Sequence, residues 1–312
     1  MQANQSRYFI FVFDGLTNNP TLERVLFIIF LLIYIFTILG NGGLIVLIIK
    51  SPILHTPMYF FLKHLSFIDM CYTSVIIPRT LSDLLSKKKT ITLLACVVQM
   101  YFYASLFISE VYLLSAMAYD RYVAICQPLL YHVMMRKEKC IILIAICFAI
   151  GFSKSVIHAV NTFSQVYCNK HHIAHFFCDM PPVLKLSCSD TSVTELLVFA
   201  IVGFNSFVCI SVIVISYSYI FSTILTIQSA QGRLKAFTTC SSHLISVGTL
   251  FGTLMYMYLR PNSSYSNDQD KVVSVFYTMV IPMLNPVIYS LRNKDVHNSF
   301  VKLMRLKTGG QL

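Results

Sequence analysis

Asp69, Glu110 and Arg121 are ionisable residues set inside long apolar runs. At membrane depth a charge costs about 2.5–3.5 kcal/mol on insertion scales, so each needs a reason to be there. Asp69 lies midway along one run and Glu110 midway along the next, which puts two carboxylates at similar depth. They cannot both be ionised and unpaired. Either a sodium ion or other cation sits between Asp69 and Glu110, or at least one is protonated. A hydrogen-bonded structural pair with no exchangeable ion is the plainer alternative.

Helical spacing organises the residues around them. Met100, Tyr103, Phe107, Glu110, Leu114, Met117 and Arg121 recur at alternating steps of three and four, which is one face of a helix. Val275, Thr278, Pro282, Asn285 and Tyr289 form a second such stripe, and His243, Val247, Phe251, Leu254 and Tyr258 a third. Apolar stripes usually mean only helix packing. The polar members Glu110, Arg121, His243 and Asn285 point to more than packing. Pro282 and Pro286 remove backbone donors and free carbonyls, so they should kink their helix, with Asn285 placed to satisfy a freed group. Lys154 and His158, near the end of another run, read as snorkelling groups.

The elements that must carry these stripes follow from composition. The 312 residues are 56% hydrophobic and 12% charged, with mean hydropathy +0.69. A soluble surface needs more charge than that. Apolar runs at about 25–49, 57–80, 93–121, 140–160, 196–226, 236–259 and 271–290 each suit a membrane helix of roughly 20 residues. The expected fold is therefore all-α: a seven-transmembrane helix bundle over 25–290, an extracellular tail at 1–24, and a cytoplasmic tail at 291–312. Val296, Phe300 and Met304 share one face of that tail, which predicts a short amphipathic helix lying on the membrane lipid. The first residues lack a basic start, a sustained apolar core and a small-residue cleavage site, so the first span is expected to act as the targeting signal.

Orientation has weaker signals. Lys and Arg divide almost evenly between the two sides, a feeble positive-inside bias spoiled by Lys87, Lys88 and Lys89. Sequons at Asn4 and Asn262 favour an extracellular N-terminus if glycosylated. Cys96, Cys168, Cys178 and Cys188 would then face the oxidising side, enough for two disulfides in any of three pairings. His171, His172 and His175 beside Cys178 could hold a metal, unless that cysteine is oxidised; no metal is assigned. The formal charge of +11 is scattered over loops, with no nucleic-acid motif. No catalytic set appears at suitable spacing, so an enzyme is not expected.

Read together, the motifs resemble those of the rhodopsin-like G protein-coupled receptors, and within them the vertebrate olfactory receptors. They are Leu39-Gly40-Asn41; Leu54 to Leu62 reading LHTPMYFFL; Leu65-Ser66-Phe67-Ile68-Asp69; Met117 to Cys126 reading MAYDRYVAIC; Ser216-Tyr217; Lys235 to Leu244 reading KAFTTCSSHL; and Pro282 to Ser290 reading PMLNPVIYS. The resemblance implies that Arg121 forms a resting-state lock with Asp120 and meets the G protein on activation. Tyr122 and His243 belong to the same coupling region. Asn285, Pro286 and Tyr289 would relay the switch, joined by Tyr217. Asp69 and Glu110 would be the cation site. Cys96 would pair with Cys178, and Cys168 with Cys188. The implied partner is a heterotrimeric G protein of the stimulatory olfactory type, which raises cyclic AMP at the plasma membrane. There are departures from the family pattern. Ile77-Pro78-Arg79-Thr80-Leu81 replaces a usual Pro-Lys-Met-Leu, Phe251 stands where Tyr is common, and no cysteine follows Cys240.

By the same resemblance the ligand pocket occupies the outer half of the bundle. Its expected lining is Met100, Tyr103, Ala104, Phe107 and Ile108; Val202, Asn205 and Ser206; Phe251, Leu254, Met255 and Tyr258; and Val275 and Thr278. Such a set suits a small volatile odorant, mostly apolar with one polar handle. Tyr103 stands where amine receptors carry an aspartate, which argues against a charged amine, and no lysine lies deep in the last span to hold retinal. About a dozen ligand heavy atoms at roughly −0.3 to −0.5 kcal/mol each give micromolar to millimolar affinity. Two rivals remain: a transporter or channel, and a receptor of this type that senses a metabolite outside the nose. A transporter would show two related halves, and none is visible.

Overall fold

The computed structural model describes residues 10–168, 171–258, 267–290 and 294–308. The sequons at Asn4 and Asn262 lie outside them, as does the side chain of Tyr258. Seven long helices form a bundle: α1 (Pro20–Lys50), α2 (Pro57–Leu85), α3 (Leu93–Cys126), α4 (Lys137–Phe163), α5 (Ser192–Thr226), α6 (Ala230–Tyr258) and α7 (Asp268–Ser290). Six of them hold a stretch long and apolar enough to cross a membrane, and α6, whose first turns carry Gln231, Arg233 and Lys235, is a further apolar helix. An eighth helix, α8 (Lys294–Thr308), follows.

Caps explain where the helices begin. Asn19 Oδ1 accepts from the amides of Thr21 and Leu22, and Pro20 starts α1 where its missing N–H costs nothing. Thr92 caps α3 through the amide of Ala95. Side-chain partition follows the lipid. On α1, Thr37, Asn41, Leu44 and Ile48 are buried at helical spacing, while Phe36 and Leu39 are 66% and 68% exposed. Those exposed side chains need an apolar solvent.

α3 is the central post, packed against α2, α4 and α5. Its fit to α4 depends on small residues. A Cβ at Gly151 would collide with Ser109 Oγ and come within 2.5 Å of the Ser105 carbonyl. Ser155 Oγ donates to the Tyr101 carbonyl at 2.7 Å. Such small-residue contacts are how helices approach closely where lipid supplies no hydrophobic drive.

Three short strands cap the end of the bundle where α1 begins, a feature absent from the all-α expectation. β1 (Ile10–Phe13) pairs antiparallel with β2 (Thr90–Thr92) and parallel with β3 (His172–Ile173). Phe11 and Phe13 are buried and Ile10 is exposed, the period-two pattern of a strand. Four residues of alternation are too few to stand out beside spans of thirty. Val296 of α8 is buried, and Ser51 Oγ donates to Ser299 Oγ at 2.9 Å, which ties α8 to the loop between α1 and α2. Phe300 is exposed.

Candidate functional site

A cavity of about 70 Å³ opens in the half of the bundle nearest the three-stranded sheet. Met100, Tyr103, Ala104, Phe107 and Ile108 of α3, Val202, Asn205 and Ser206 of α5, and Leu254 of α6 stand on its wall. The α3 aromatics pack together, with Phe107 6.2 Å from Tyr103 and 5.9 Å from Tyr277 between ring centres.

The remaining expected lining residues fall elsewhere. Phe251 and Val275 pack in the bundle core, and Thr278 is buried with its hydroxyl donating to the Ser274 carbonyl. None of the three is on the wall. Met255 is 46% exposed; one residue from Leu254, it is turned about 100° away. A five-residue π-helical stretch, Phe276–Val280, interrupts α7 and rotates what precedes it, which a stripe drawn at regular spacing does not capture. Val111, Tyr112, His158, Asp179 and Met180 also line the cavity and were not anticipated.

His158 and Lys154 correct the snorkelling reading. His158 is 6% exposed and lies on the cavity wall. Lys154 Nζ donates to Tyr112 Oη at 2.7 Å and to Asn205 Oδ1. Position along a helix gives depth, but the azimuth is set by packing, and the contact through Gly151 and Ser155 turns this face inward.

Below the cavity lies a polar network. His243 Nε2 donates to the Leu114 carbonyl at 3.0 Å, and its Nδ1 accepts from the Tyr217 hydroxyl at 2.9 Å. One imidazole thus joins α3, α5 and α6, in the tautomer these partners require. One turn further on, Ser246 Oγ donates to Asn285 Oδ1 at 3.3 Å, and Asn285 Nδ2 donates to Asp69 Oδ2 at 3.0 Å. Asp69 and Glu110 are both buried, and Asp69 Oδ1 has no hydrogen-bond partner.

Asn285 is therefore occupied by Asp69, and a different residue answers the proline. Pro286 cannot donate to the carbonyl four residues back, which is that of Pro282. Asn41 Nδ2 donates to it at 3.0 Å from α1. Gly40 makes the approach possible, since a Cβ there would lie 3.2 Å from the Pro286 ring. Tyr289 is buried in the same region.

The Asp120–Arg121 lock is not formed. Asp120 Oδ1 accepts from the Tyr131 hydroxyl at 3.0 Å, from a helical turn at Tyr131–Met134. Arg121 is buried, and its Nε has no partner. Consecutive helical residues diverge by about 100°, so a partner from the next element competes well for Asp120. Tyr122 Oη accepts from Gln127 Nε2 at 3.1 Å.

The loop between α4 and α5 forms a lid, with Asp179 and Met180 on the cavity wall. Cys96 is bonded to Cys178 and Cys168 to Cys188, with Cα separations of 5.5 and 5.9 Å. The histidines beside Cys178 disperse. His172 Nδ1 is 3.4 Å from Asp14 Oδ1, whereas His175 is buried between Phe176 and Phe177 with Nε2 3.1 Å from Ser274 Oγ. Burial, reinforced by the Lys271 charge, lowers the His175 pKa to about 3.

A seven-helix membrane bundle with a lidded cavity at one end and a polar core leading away from it defines a receptor-type architecture. The chain matches the olfactory receptor family over residues 30–307 and belongs to it. It is 52% identical to mouse "Olfactory receptor 5AR1", covering 98% of this chain and 99% of that protein. Human "Olfactory receptor 5AU1" is 52% identical over 98% of this chain and 84% of its own length, and human "Olfactory receptor 8D1" 52% over 94% and 96%. The chain is thus a multi-pass membrane receptor and not an enzyme.

Proposed function

We propose that this receptor takes a small, mostly apolar volatile odorant into the outer cavity and activates a heterotrimeric G protein of the stimulatory olfactory type, raising cyclic AMP. It acts at the plasma membrane with its N-terminus outside. The observation that supports this most is continuity along α3: Met100, Tyr103, Ala104 and Phe107 line the cavity, Leu114 holds His243, and Arg121 stands buried at the inner end. An agonist that binds better when α6 has swung outward shifts the balance toward that state; equal affinity for both would shift nothing. Opening α6 breaks the His243 and Ser246 contacts and uncovers Arg121.

Asp69 and Glu110 fit a sodium ion or a shared proton, because the unpartnered Asp69 oxygen and a second buried carboxylate give an oxygen donor set for a small cation. Their part is to hold α2, α3 and α7 in the resting arrangement. Replacing Arg121 by Ala in transfected cells is expected to abolish agonist-driven cyclic AMP while surface expression persists. Retained signalling would remove Arg121 from the mechanism. Nucleotide exchange on the G protein separates this reading from a transporter, which should drive none.

A further inference from the structure

The cavity lies to one side of α3. Its wall comes from α3, α4, α5, α6 and the lid; among the described residues, none on it belongs to α1, α2 or α7. The lid side is sealed. Phe176, Phe177 and Met180 are buried, the Cys96–Cys178 bond ties the lid to α3, and Asp179 accepts from the Tyr277 hydroxyl of α7 at 3.1 Å.

The seam between α4 and α5 is looser. Ile108 and Tyr112 stand on the cavity wall and are partly exposed, although α3 is the central post; Asn205 of α5 is partly exposed too. Lys154 of α4, also partly exposed, donates from Nζ to Tyr112 Oη at 2.7 Å and to Asn205 Oδ1. The Tyr112 hydroxyl donates to the same Asn205 oxygen at 2.7 Å. Three helices are thus pinned together by three side chains where the seam passes the cavity. On the lipid side of this cluster the lips are apolar: Ile157, one turn from Lys154, is 47% exposed, and Val208, one turn from Asn205, 37%. Among the described residues Lys154 forms no ion pair with a carboxylate. Its partners are neutral oxygens, which hold an ammonium less tightly than a carboxylate does. Once released, the ammonium can follow its flexible stem toward the headgroups.

We infer that the α4–α5 seam is a portal through which apolar ligands pass between membrane lipid and the cavity, with Lys154, Tyr112 and Asn205 as its latch. An apolar molecule is concentrated in lipid over water by about four-fold for each methylene group, so the lipid is where such a ligand is found. Release of Asn205 by Lys154 parts the seam at the level of the cavity while the lid stays shut. That the passenger is an odorant rests on the cavity being the odorant site; the route itself does not.

The test uses the full-length receptor in lipid nanodiscs, carrying Ala104→Cys on the cavity wall. Two maleimides with the same reactive group are compared, one confined to lipid by a dodecyl tail and one confined to water by a sulfonate. Peptide mass spectrometry follows modification at position 104 separately from the free cysteines. The sulfonate reagent is expected to react there at least about ten-fold more slowly than the dodecyl reagent. Lys154→Met keeps the stem and removes the latch; it is expected to speed the dodecyl reaction at least about five-fold and leave the sulfonate reaction unchanged. Ile157→Trp thickens the lip away from the cavity and is expected to slow the dodecyl reaction alone. It decides the matter if Lys154→Met does not fold. Failure of the dodecyl reagent to reach position 104, or faster reaction of the sulfonate reagent, overturns the inference, because access would then not run through lipid. So does a dodecyl rate that the folded variants leave unchanged. If the labelling follows the expected pattern while a panel of volatile ketones, alcohols and hydrocarbons leaves cyclic AMP flat in transfected cells, the portal stands and the odorant reading falls.

Discussion

His243 shows how much one side chain can connect. Its two ring nitrogens join the α3 backbone to Tyr217 of α5. Replacing His243 by Leu removes both contacts and frees α6, so ligand-free cyclic AMP is expected to rise at equal surface expression; an unchanged basal level would exclude it as a restraint. Asn41 performs a quieter task. Asn41→Leu leaves the Pro282 carbonyl buried without a donor, a loss of about 1–3 kcal/mol that a thermal-shift assay on purified receptor would read as lower stability. His175 gives a pH dependence. Its pKa is about 3 in the folded lid against about 6.5 when released, so the released lid binds more protons below pH 6.5. Lid stability is therefore full above that pH and falls as the medium is acidified. Near it are Lys271, Ser274 and the two phenylalanines. Hydrogen exchange of residues 171–178 is expected to be about ten-fold faster at pH 5.5 than at pH 7.5, relative to a His175→Gln control.

Among the elements, the α3–α4 contact is the tightest. Gly151→Ala must push Ser109 and the Ser105 carbonyl aside, a strain of about 1–3 kcal/mol. It also moves the face that carries Lys154 and His158. Reduced surface expression together with altered agonist potency is expected. Loss of expression without any change in potency among the receptors that reach the surface would separate packing from the cavity. Phe107→Ala, on the opposite wall, is expected to reorder agonist potencies without loss of expression.

For the whole molecule, the two disulfides differ in reach. Cys96–Cys178 spans 82 residues and ties α3 to the lid, whereas Cys168–Cys188 spans 20 within one loop. Loop-closure entropy gives roughly 4.5 and 3.3 kcal/mol respectively. Cys96→Ser is expected to lower thermal stability more than Cys188→Ser; the reverse order would mean that the lid is held mainly by its own loop and the β1–β3 sheet.

The sequence by itself determined the spans, because apolar length and helix caps are local properties, and it placed Asp69, Glu110 and Arg121 inside the bundle, because lipid penalises exposed charge. The α3, α5 and α6 residues on the cavity wall were expected only through the family resemblance of the motifs. The tertiary structure alone decided partners and azimuths. Asn41 reaching Pro282, Tyr131 taking Asp120, and Lys154 turning inward to Asn205 each join side chains to partners on a different element. Spacing within one helix carries no information about which neighbour its side chains will meet.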